Sequence, residues 1–136
     1  MIKRISFFLA AVLIIASVTL AQSNSLSFTE VADNLNLNKK TSLYVKTYWQ
    51  GIVGQEVYWI GKVVNVKGGK GKAVVYIADS NRTLYKGYNI VLETYDMESA
   101  AMLEVGQSAK FKGLLSDYKG KQGHPIIVYL NQVEFK

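Results

Sequence analysis

The residues with the most chemical reach in this chain are lysines and tyrosines. Lys67-Gly68-Gly69-Lys70-Gly71-Lys72 gathers three ammonium groups in one glycine-rich turn. Lys119, Lys121 and His124 recur in a second turn with Gly120, Gly123 and Pro125. Tyr58, Tyr76, Tyr88 and Tyr118 stand beside and between these turns, and Lys62 follows Tyr58. Ammonium groups that neutralise an anionic backbone, next to rings on which bases or sugars stack, suit a groove for a charged or sugar-bearing polymer. The same residues also have a plain structural use. Glycine makes hairpin tips, lysine keeps sheet edges soluble, and tyrosine packs well on strands.

Other chemistry has little to work with. The chain has no Cys and one His, so thiolate metal sites, cysteine nucleophiles and disulfides drop out together. His124 precedes Pro125 in a Gly/Lys-rich loop and reads as a turn residue rather than a general base. The ten acids are scattered singly. The nearest pair, Asp96 and Glu98, reads as the charged start of a helix rather than as metal ligands. The first lysine turn lacks both the GxxxxGK[ST] spacing and the following helix of a phosphate loop. The sequence therefore predicts no catalytic residue, no metal and no cofactor.

These residues must be positioned outside the cytoplasm. Lys3 and Arg4 precede an uncharged apolar run from Ile5 to Leu20, and Thr19-Leu20-Ala21 closes it with residues that suit a signal peptidase. Residues 1–21 are expected to be a signal peptide cut between Ala21 and Gln22, leaving no stable membrane span. An uncleaved anchor is the alternative, since the 17 residues from Ile5 to Ala21 approach a spanning length. The expected location is periplasmic or extracellular. Removal of Lys3 and Arg4 lowers the formal charge from +6 to +4, compatible with anionic partners but too small to require nucleic acid.

All 11 glycines lie between Gly51 and Gly123, which divides the remainder into a helical lead-in (22–53) and a glycine-punctuated β region (54–136). Ser27-x-x-Glu30 reads as a capping box ahead of Val31, Leu35 and Leu37. Leu43, Tyr44, Tyr48 and Trp49 recur at helical spacing until Gly51, as a helix packed on the main body would. Five strands follow, over 56–66, 72–79, 88–95, 109–115 and 126–135, with a short helix from Met97 to Leu103 capped by Asp96. In the first strand Val57, Trp59, Gly61 and Val63 share one side, and Lys62 marks the other as exposed. In the second, Val75 and Ile77 face in and Tyr76 out. Gly61 and Gly113 sit mid-strand, where a small sheet must bulge or bend. The order β-β-β-α-β-β with a long bent first strand is the layout of the OB-fold, a five-stranded Greek-key barrel, with Ala101, Met102 and Leu103 plugging its open end.

Val57-x-Trp59-x-Gly61-x-Val63-x-x-Val66, followed by Leu103-x-x-Gly106-Gln107-x-x-x-Phe111-x-Gly113, resembles the bacterial secreted and envelope OB-fold proteins grouped as tRNA-anticodon-binding-like. The resemblance runs from about Gly54 to Phe135 and is carried by core residues and corner glycines. It implies the barrel fold and, by shape alone, nucleic-acid binding. On the barrel, the two lysine turns become the loops flanking the usual ligand face. The candidate site is then Tyr58, Lys62, Lys67, Lys70, Lys72, Tyr76, Tyr88, Tyr118, Lys119 and Lys121. The leading expectation is an exported, non-enzymatic module for an anionic polymer or glycan. The alternative is an envelope protein that docks to a partner through a β edge or its N-terminal helices.

Overall fold

The computed structural model describes residues 25–136. The expected signal peptide, with its cut between Ala21 and Gln22, lies outside the described residues. Two helices lead: α1 (Phe28–Asn34) and α2 (Ser42–Ile52). Strands β1 (Glu56–Gly68), β2 (Ala73–Ala78) and β3 (Ile90–Thr94) follow, then the short helix α3 (Met97–Ala101) and strands β4 (Ser108–Lys119) and β5 (Ile127–Phe135). The strands close into a barrel in the order β1-β2-β3-β5-β4, with the β3–β5 pair parallel and the other pairs antiparallel. This is the expected OB-fold barrel, mainly β with few helices. No helix among the described residues is long and apolar enough to cross a membrane.

The lead-in forms where its caps allow. The Ser27 hydroxyl accepts the Glu30 N–H at 3.0 Å, and the Thr41 hydroxyl accepts that of Tyr44 at 3.1 Å, so each satisfies a backbone donor that the first helical turn leaves free. The stop expected at Gly51 comes later. Helix α2 runs through Gly51 to Ile52, and the left-handed residue after it is Gly54, at φ +90°. Tyr48 and Trp49 pack against the core as expected of a covering helix, and Trp49 meets Tyr118 with ring centroids 4.9 Å apart.

Barrel closure depends on where the strands slip phase. Lys62 is paired with Ala78 of β2 and with Ser108 of β4, so β1 passes from one partner to the other beside Gly61. A Cβ on Gly61 would overlap Ile77 Cγ2, which gives this glycine a packing reason. The register slip itself falls further along, at Val64, between Val63↔Ile77 and Asn65↔Tyr76. At Gly113 the partner strand bulges: Lys112 faces Glu134 and Leu114 faces Asn131, so Gln132, with φ +50°, and Val133 lie opposite one glycine. A third slip falls at Ser116 of β4, between Leu115↔Leu130 and Asp117↔Tyr129. Each extra residue turns every following side chain on its strand to the other face.

Three expectations are corrected. Strand β4 continues to Lys119 instead of ending at Leu115, so Tyr118 and Lys119 stand on a strand and not in a loop. Helix α3 stops at Ala101. The barrel end is plugged by buried Ala100 with half-buried Leu103, whereas Met102 is 77% exposed.

Candidate functional site

The outer face of the barrel over β2, β3 and β5 carries a tyrosine cluster. Cross-strand pairing sets Asn65, Tyr76, Val91, Tyr129 and Asp117 in one row across β1, β2, β3, β5 and β4. Tyr76 and Tyr129 are two strand spacings apart, about 10 Å, with Val91 between them buried although it faces outward. The β2–β3 loop adds two more rings. Tyr85-Lys86-Gly87-Tyr88 closes as a two-residue turn: the Tyr85 N–H donates to the Tyr88 carbonyl at 2.7 Å, and the Tyr88 N–H returns to that of Tyr85 at 3.0 Å. Both central residues have positive φ, +51° at Lys86 and +92° at Gly87, as a type I′ hairpin turn requires. Tyr88 lies edge-on to Tyr76 at 4.8 Å between centroids, and Tyr85 edge-on to Tyr88 at 5.9 Å.

Asn89, fully buried, holds this loop to the barrel. Its side-chain oxygen accepts the Asp79 N–H at 2.8 Å, and its amide donates to the Asp79 carbonyl at 2.9 Å. A buried amide satisfied on both sides fixes the loop base in a way that an apolar residue cannot.

Three ammonium groups cap the rings. Lys67 Nζ sits 5.4 Å from the Tyr76 centroid, Lys86 Nζ 5.3 Å from that of Tyr85, and Lys119 Nζ 5.7 Å from that of Tyr129. Two of these placements are products of strand slips. Inward residues of β1 are odd-numbered as far as Val63, so an uninterrupted strand would turn Lys67 inward. The slip at Val64 turns Lys67 out beside Tyr76, and the slip at Ser116 does the same for Lys119 beside Tyr129. The only acid in the row, Asp117, accepts the Tyr118 N–H at 2.8 Å. The Tyr88 hydroxyl is held above its ordinary pKa of 10.0, first by burial and then by the phenols of Tyr129, Tyr76 and Tyr85, with Lys86 opposing. At neutral pH the Tyr88 phenol is thus uncharged.

Of the residues proposed from sequence, Lys67, Tyr76, Tyr88 and Lys119 come together here. Lys70 is exposed at the tip of the β1–β2 turn, and Lys72 is paired with Glu93 at 3.2 Å. Tyr118 turns to the barrel side covered by Trp49. Lys121 is exposed in the β4–β5 loop, where the Gly123 N–H donates to the Asn38 side chain of the lead-in at 3.2 Å. Tyr58 belongs to the half of β1 that pairs with β4, and Lys62 stands where β1 passes from β4 to β2. Tyr58 has Glu56 and Lys136 as neighbours and shares none with Tyr76. Tyr85, Lys86, Asn89 and Tyr129 were missed. The Lys86-Gly87 pair was a readable hairpin signal, whereas Tyr129 lies in a run apolar on both sides and gave none.

His124 is exposed and lines a separate cavity of about 240 Å³ with Arg82, Asn36 and Asn38. Among the described residues no three of His, Cys, Asp and Glu are grouped as a metal site would need.

No family model matches the chain, and no curated protein matches it in sequence. Solved structures match it in shape. A protein from Klebsiella pneumoniae subsp. pneumoniae MGH 78578, named provisionally as a nucleic acid-binding lipoprotein, aligns over 87% of this chain and 95% of its own, with a TM-score of 0.57 and 14% identity. An OBody bound to hen egg-white lysozyme aligns over 62% of this chain and 84% of its own, with a TM-score of 0.45 and 14% identity. An aspartyl-tRNA synthetase from Entamoeba histolytica aligns over 62% of this chain and 19% of its own, with a TM-score of 0.44 and 7% identity. At 14% identity the likeness to the Klebsiella protein speaks for the fold alone.

Proposed function

We propose that the chain is an exported, non-enzymatic OB-fold binding module that holds a single-stranded anionic polymer bearing flat or sugar rings across Tyr76, Tyr88 and Tyr129. One observation carries this reading: four tyrosines and three lysines from five separate stretches of sequence meet on one outer face of the barrel. Each lysine is poised over a ring by a contact of about 0.5–1 kcal/mol at an exposed site. An arriving base or sugar can therefore displace the ammonium from the ring face, and the freed ammonium can pair with the polymer's anion. A neutral polymer offers no such compensation. The name of the Klebsiella protein, which this fold resembles over most of both chains, agrees with an envelope location and a nucleic-acid ligand. Barrel closure argues against the β-edge form of the competing reading, and docking through the N-terminal helices is left as the alternative.

Anisotropy titrations with a labelled oligothymidylate, an acidic polysaccharide and a neutral polysaccharide over a salt series test the reading. The expected result is binding of an anionic polymer that weakens steeply with salt. Equal binding of neutral and anionic polymers, or none at any salt, would reject it.

A further inference from the structure

A second concave site lies on the wall opposite the tyrosine cluster. It is a groove of about 500 Å³ between the chain entering α1 and the β1–β4 wall, a volume within the range of small-molecule sites. Its construction follows from Trp59. The indole N–H donates to the Leu26 carbonyl at 2.7 Å and the ring meets Phe28 edge-on at 5.3 Å, which fastens the entering chain to the barrel. The floor is apolar, made of Trp59, Phe28 and Phe111. Along one side stand Tyr58 and Ile60, 49% and 52% exposed, two large apolar side chains next to each other on one strand face.

The polar groups at the rim are unequal. Asp79 is engaged by its own turn, accepting the Asn81 N–H at 3.0 Å. Tyr58 donates its hydroxyl to Glu56 at 2.9 Å. Lys110 and Lys136 are exposed, and neither forms an ion pair among the described residues. Lys136 Nζ lies 4.9 Å over the Tyr58 ring. An apolar trough with two ammonium groups at its edge that no carboxylate pairs among the described residues calls for a ligand with a hydrocarbon body and one anionic end.

We propose that this groove binds a single-chain anionic amphiphile, its tail along Trp59, Tyr58 and Ile60 and its acidic head at Lys110 and Lys136. The site is separate from the tyrosine cluster and independent of the polymer-binding reading. Trp59 reports on it directly once the second tryptophan is removed by Trp49→Phe. Dodecanoate, below its critical micelle concentration, should change Trp59 emission saturably with the near-UV circular dichroism retained. Dodecyltrimethylammonium, with the same tail and the opposite head, should not. Lys110→Gln with Lys136→Gln should weaken dodecanoate by about fivefold to tenfold, the size expected of two exposed charge contacts. Ile60→Asp, at an exposed position, should abolish the change with the near-UV circular dichroism retained. Three results would overturn the proposal: no saturable change with dodecanoate, the same change with both head groups, or a dodecanoate response that survives Ile60→Asp and so arises elsewhere on the chain.

Discussion

Tyr76 and Tyr129 are the side chains on which the functional reading depends most directly. Each is half-buried, has one face under a lysine, and projects from the row that crosses the barrel. Replacing either with Ala should weaken polymer binding by about 1–3 kcal/mol if a ring stacks there, with little change in melting temperature; isothermal titration of each variant checks this. Lys67, Lys86 and Lys119 together should account for a loss of about 2 in the slope of log K against log salt when all become Ser, since each phosphate neutralised on a single strand contributes about 0.7. Tyr88 makes a pH prediction. Its raised pKa means that the folded protein keeps a proton which the unfolded chain releases above pH 10. Its contribution to stability is therefore complete below pH 10 and is lost as pH rises through the folded value. Urea unfolding between neutral and strongly alkaline pH should show this decline, and Tyr88→Phe should make it shallower.

Strand slips and glycines decide the elements. Gly61 and Gly113 have close neighbours where a Cβ would go: Ile77 Cγ2 at the first, and Val133 Cγ2 at 2.7 Å at the second. Valine at either position should destabilise the fold by about 1–3 kcal/mol through overpacking, read as a lower urea midpoint, and an unchanged midpoint would contradict the packing reason for these glycines. Asn89→Ala should lower stability by about 1–3 kcal/mol, because it leaves the Asp79 N–H without a partner and the Asp79 carbonyl with the Arg82 N–H alone. It should also weaken polymer binding, since the loop bearing Tyr85 and Tyr88 loses its anchor. Much at this scale was legible in the sequence. The five strands, the helix starts at Ser27 and Asp96 and the inward set Val57, Trp59, Val63, Val75 and Ile77 follow from alternation and capping residues. The slips at Val64 and Ser116 were not legible, because neither residue carries a glycine's signature. Strict alternation along β1 puts Lys67 on the inward face, so the sequence set it beside Tyr76 only as a turn residue, and Tyr129, in a run apolar on both sides, gave no signal at all.

For the whole molecule, closure matters most. Strand β1 pairs with both β2 and β4, so one continuous strand carries the apolar groove near its start and Lys67 of the polymer face near its end. Sequence reading placed Tyr58 and Tyr76 together because both face outward. Tyr76 pairs with Asn65, seven residues along β1 from Tyr58, so outward direction on a closed sheet does not amount to adjacency. The most direct test of the central claim is a titration of the isotope-labelled protein with oligothymidylate and with an acidic polysaccharide, followed by amide chemical shifts. The account predicts salt-sensitive shifts concentrated at Asn65–Lys67, Tyr76, Tyr85–Asn89, Lys119 and Tyr129 for at least one of these polymers. Absence of shifts with both, or shifts confined to the Tyr58–Ile60 wall or the lead-in helices, would contradict it.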